Sequence, residues 1–123
     1  MIKSHFATYL PDLSWVVVTA DAQTRVEEGQ MDADTLRTML LGSPEQVRSP
    51  WEASVFVRTD PNSPLPVNWL ATMLLRQSLT PGQQVRGPMV VLGPADDAGE
   101  VTAAGEALVT GIIDAVTTAK GER

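Results

Sequence analysis

Cysteine is absent, which excludes disulfides, thiolate zinc sites and thiol nucleophiles and suits a reducing cytoplasm. The chain has one histidine, His5. A catalytic triad needs a histidine held by one partner and facing a nucleophile. Nothing around His5 has that pattern, and the adjacent Ser4 diverges from it in extended backbone. Motifs of the Gly-x-Ser-x-Gly, Gly-x-x-x-x-Gly-Lys-[Ser/Thr] and Gly-x-Gly-x-x-Gly types are also missing. Aromatic residues are only 5% of the chain, so Val, Leu, Ile, Met and Ala must build the core. The longest apolar runs, Trp15–Val18 and Met89–Leu92, have four residues each, whereas a membrane helix needs about 20. The start, Met-Ile-Lys-Ser-His-Phe, carries no apolar stretch of the secretory kind. The expectation is a soluble, cytoplasmic chain with no membrane association.

Positive charge is scarce too. Nine bases stand against 15 acids, for a net charge of −6, and the bases are scattered from Lys3 to Arg123. Such a surface repels phosphate backbones, so nucleic-acid binding is not expected. The densest acids, Asp96, Asp97 and Glu100, break the alternation of a calcium loop and read as a solvated loop. No metal and no cofactor is expected. Pairs of carboxylates are unavoidable among 15 acids and by themselves support no catalytic reading.

What remains is globular. The length of 123 residues and 43% hydrophobic content suit one domain over residues 1–123, with 1–13 and 120–123 loosely ordered. Residues 14–20, with Val16, Val17 and Val18, read as a central strand covered on both faces. Residues 24–28 read as its hairpin partner nearer an edge. Asp32 is a candidate N-cap for a helix over 33–41, with Leu36, Met39 and Leu40 on one face, Gly42 as C-cap and Pro44 beyond. Residues 43–50 read as a loop. Residues 51–59 alternate like a strand with one face on the core. A proline-rich loop over 60–66 leads to Asn68, the candidate cap of a helix over 69–77. A strand over 87–92 and a helix over 102–119 complete the order β-β-α-β-α-β-α. Gly105 and Gly111 inside that last helix suggest close packing or a break. These elements predict an α+β fold: a small mixed four-stranded sheet with about three helices on one face. The strand–helix–strand unit of the second half suggests a parallel crossover.

Candidate binding residues gather around the proline loop. Arg58 is expected on the outward strand face just before it, Asp60 opens it, and Asn68 and Trp69 close it. With Arg86 these could form a cleft for an anionic or planar ligand, since arginine and tryptophan suit such groups. Trp15 reads as core. Trp51 and Trp69 stand at the edges of elements, where tryptophan serves either packing or recognition.

The stretch Leu65-Pro-Val-Asn-Trp-Leu-Ala-Thr-Met-Leu-Leu, then Pro81-Gly and Val85-Arg-Gly-Pro-Met-Val-Val-Leu-Gly93, resembles a family of unknown function found in actinobacteria, their plasmids and their phages. The order of elements matches over residues 14–93, and the motifs match over 65–93. Where that family favours a proline after the Asn, this chain has Trp69. The resemblance implies a mobile-element-linked accessory protein and carries no catalytic residues. Asn68 and Gly87 are then a helix cap and a permissive turn. Three functions follow in order: a non-catalytic interaction module binding a host protein or itself, a small-ligand-binding regulatory domain at the 58–69 loop, and a carboxylate-based enzyme. Mimicry of DNA is a special form of the first, for which −6 is a modest charge.

Overall fold

The computed structural model describes residues 13–121. His5, the turn expected at Pro11–Asp12 and most of the two loosely ordered ends lie outside them. Five strands form one sheet in the order β2-β1-β5-β4-β3, every neighbouring pair antiparallel. They are β1 (Leu13–Val18), β2 (Thr24–Gly29), β3 (Glu45–Val47), β4 (Ser54–Val57) and β5 (Met89–Leu92). Three α-helices accompany them: α1 (Ala33–Leu40), α2 (Trp69–Leu74) and α3 (Glu106–Ala119). A 3-10 turn, Arg76–Ser78, extends α2.

The expected α+β class holds, but its details change. The sheet has five strands, not four, because Glu45–Val47 pairs with Val55–Val57 inside what reads as a loop. It is antiparallel, not mixed. The chain leaves β4 at Arg58 and returns beside it at Arg86, whose N–H donates to the Arg58 carbonyl at 2.8 Å. β5 therefore re-enters the sheet at the end where β4 left it, and no parallel crossover forms.

Strand composition explains position. The apolar runs of β1, β4 and β5 occupy the centre, and the charged β2 and three-residue β3 lie at the two edges. Side chains alternate across the sheet. Val16, Val18, Val55, Val57, Met89 and Val91 join Leu70, Ala71 and Leu75 from the α2 region and Ile112 and Val116 of α3 in one core cluster. Trp15, Val17, Phe56, Val90 and Leu92 join Leu36 and Leu40 of α1, with Met31, in another. The helices thus cover both faces rather than one. This is why β4 is buried at all four positions instead of alternating. Trp51 and Ala53, expected within that strand, precede it and pack half-buried against the first cluster.

Helix ends follow local chemistry. The Asp32 carboxylate accepts from the Thr35 N–H at 2.7 Å, as expected of an N-cap. At the other end Leu41, not Gly42, takes the left-handed conformation, with φ 52° and ψ 44°. Gly42 follows at φ 154°, and its N–H donates to the Arg37 carbonyl. α3 starts later than expected. Gly105 is its N-cap, and a side chain added at Gly111 would meet nothing within 4 Å, so neither glycine marks close packing. Lys120 caps the helix and its ammonium reaches the Ala22 carbonyl at 3.4 Å. Among the described residues no helix is long and apolar enough to cross a membrane.

Candidate functional site

Asn68 is fully buried, and its hydrogen bonds show what that position does. Its Oδ1 accepts from the Ala71 N–H at 2.9 Å, capping α2. Its Nδ2 donates to the Val18 carbonyl at 3.0 Å and to the Gly87 carbonyl at 2.9 Å. Its own N–H donates to the Val85 carbonyl at 2.7 Å. One amide therefore joins the end of β1, the entry to β5 and the start of α2. Gly87 sits opposite at φ 78°, where a Cβ would lie 2.5 Å from Leu65 Cδ1. The positive φ favours glycine, and a side chain there would also have to displace Leu65. The expectation that Asn68 and Gly87 act as cap and permissive turn fits this geometry.

Arg58 is not a solvated residue on an outward face. Its side chain is 13% exposed, donates from Nη1 to the Leu41 carbonyl at 2.8 Å and pairs with Asp60 at 3.1 Å. Leu41 ends α1 with carbonyls that lack helical partners, and the guanidinium satisfies one of them. A Cβ at Gly42 would lie 1.4 Å from Nη1, so the glycine makes room for the arginine. Asp60 is engaged on its other oxygen by the Asn62 N–H at 2.9 Å. Arg58 and Asp60 thus bind the α1 terminus to the proline loop.

Of the five residues expected to converge, only Asp60 and Arg86 share a cleft. It has a volume of about 560 Å³ and is lined also by Glu45, Thr59 and Gln83. The Glu45 carboxylate accepts from the Thr59 N–H at 2.8 Å and from its hydroxyl at 2.9 Å. The Arg86 guanidinium has no ion pair or hydrogen bond among the described residues. Asn68 lies in the core, and Trp69 lines neither this cleft nor the core.

A second groove, of about 570 Å³, had no signal in the sequence pattern. Arg48, Ser49 and Pro50 form one wall, from the segment joining β3 to β4. Met73, Leu74, Arg76, Gln77 and Ser78 form the other, from α2 and its 3-10 turn. The Ser78 hydroxyl donates to the Arg48 carbonyl and holds the two walls together. Trp69 stands one turn before Met73 on the same face of α2. Trp69 is 64% exposed and Met73 44%. The apolar spacing of residues 69–77 places Met73 in the helix's apolar stripe with Leu70 and Leu74, but Met73 is exposed and lines the groove instead.

In the acidic loop the Asp96 side chain bonds its own backbone. Asp96 Oδ1 accepts from the N–H groups of Ala98 and Glu100, each at 2.9 Å. Among the described residues no three His, Asp or Glu side chains gather as a metal site requires. Compared with family models, curated proteins and solved structures, the chain matches none.

Proposed function

We propose that this α+β domain is a non-catalytic interaction module that docks a partner protein through the exposed face of α2. The carrying observation is Trp69 at 64% and Met73 at 44% exposure, one turn apart. Burying a large aromatic and an adaptable thioether against a partner is a favourable use of such a face, and aromatic residues dominate binding energy at interfaces. The resemblance to proteins of actinobacteria and their mobile elements suggests a host protein as partner and an accessory role inside the cell. The test is a pull-down from actinobacterial lysate with the wild-type chain, Trp69→Ala and Met73→Ala. One stoichiometric protein retained by the wild type and lost from both variants is the expected result. A partner held equally by all three chains places docking elsewhere and defeats the reading.

A second reading, a small-ligand site, rests on the cleft between Asp60 and Arg86. It is supported by an unpaired guanidinium facing a volume of about 560 Å³, within the range of small-molecule pockets. Arg86→Ala should then abolish any thermal shift caused by a panel of small carboxylates. If wild type and variant respond alike, that reading fails.

A further inference from the structure

The chain carries more acid than base, yet two of its arginines share one groove without an acid between them. Of the six described arginines, Arg25, Arg37 and Arg58 each form an ion pair with a nearby carboxylate. Arg48 and Arg76 are exposed, line the same groove and pair with no acid among the described residues. Two positive charges lining one groove with no acid in its lining favour an anionic occupant. Pro50, Met73 and Leu74 line the same groove and give it apolar surface that a simple inorganic anion would not use. Trp69 stands exposed one helical turn before Met73 on the same face of α2.

We propose that this groove receives an acidic segment of a partner protein, with carboxylates on Arg48 and Arg76 and an apolar side chain on Met73 and Trp69. The inference rests on the docking reading above and specifies the partner's chemistry. Arginine forks match carboxylates in geometry and charge. The whole-chain charge of −6 works against a long polyanion such as a nucleic acid, whose phosphates extend past the groove. A short segment with two or three carboxylates keeps the local attraction without that repulsion. Ser78 and the backbone at Arg48 hold the walls through groups that substitution of the arginine side chains leaves in place.

The test is selection of a phage-displayed random peptide library on the immobilised full chain. The selected peptides are then synthesised and titrated against wild type, Arg48→Gln/Arg76→Gln and Trp69→Ala. The expected peptides are rich in Asp and Glu beside an aromatic or aliphatic residue. Their affinity should fall at least about tenfold in the double-arginine variant, about 1.4 kcal/mol, and also in Trp69→Ala. Replacing their acids with Asn and Gln should abolish the difference between wild type and the double variant. Peptides without acidic enrichment that still lose affinity to Trp69→Ala overturn this inference and leave the docking reading standing. A library that yields nothing sensitive to either variant defeats both. Displacement of the peptides by duplex DNA at lower concentration than by glutamate-rich peptide assigns the groove to phosphates and overturns the proposal. Sedimentation of the wild type as a dimer that Arg48→Gln/Arg76→Gln dissociates assigns it to a second copy, with the same consequence.

Discussion

Around Asn68 the polar groups are matched, whereas one residue further along the chain α2 exposes the Trp69 indole, and the groove along its later turns carries the unpaired guanidinia of Arg48 and Arg76. The two regions share a helix and differ in every physical respect. At the first, the Asn68 amide joins three elements and Thr72 repeats the pattern, its hydroxyl donating to the Asn68 carbonyl and accepting from the Val85 N–H. At the second, apolar area and charge face solvent with no internal partner among the described residues. A buried polar group must be hydrogen-bonded or the fold loses stability, so a matched cluster speaks of structure. An exposed aromatic next to unpaired charge contributes little to the fold and is available for binding.

The difference can be broken or sharpened by substitution. Asn68→Ala uncaps α2 and leaves the Val18 and Gly87 carbonyls without their donor. It should reduce stability by about 2–4 kcal/mol, measured by urea unfolding. A loss under about 0.5 kcal/mol, the level of an ordinary surface change, would erase the contrast. Arg58→Ala should follow with a loss of about 1–2 kcal/mol, since it frees one terminal carbonyl of α1 and the Asp60 carboxylate. Its effect should appear in unfolding experiments and not in binding to the α2 face.

Acid provides a smaller and more local probe. The Thr35 backbone N–H, then the Thr35 side chain and the charge of Arg37, hold the Asp32 carboxyl below its ordinary value. The folded value lies below the unfolded one, so this stabilisation is present above about pH 4 and disappears as pH falls through the folded value. Asp32→Asn should therefore be less stable than wild type at neutral pH, with the gap closing in acid, as read by urea unfolding across a pH series. A gap that stays constant down to acid would mean that the charge of Asp32 contributes nothing. Trp69→Ala should change stability least, within about 0.5 kcal/mol, while removing partner binding. A large loss of stability would return Trp69 to the core and remove the contrast from that side.

Much of the scaffold was legible because it depends on neighbours in the chain. Asp32 and Asn68 precede helices with side chains that reach back to nearby N–H groups, and that reach is a local property. The run Val16–Val18 announced a strand covered on both faces, and the charged stretch 24–28 announced an edge. Gly87 carried its own conformational signal. Arg58 was misread because its partner, the Leu41 carbonyl, is 17 residues away and becomes a partner only once α1 ends beside β4. The three-residue β3 was missed because so short a segment has no period of its own and exists through its ladder with β4.

The sequence by itself determined the class of fold, the central apolar strands and the capped helix starts, since periodicity and capping act over a few residues. Only the tertiary structure decided the direction of β5, the covering of both sheet faces and the fate of the polar residues. The same was true of the α2 face: Met73 and Arg76 are close in the chain, but the second wall of their groove comes from Arg48 to Pro50. Contacts between segments distant in the chain are set by how the whole sheet closes, and no local pattern encodes them.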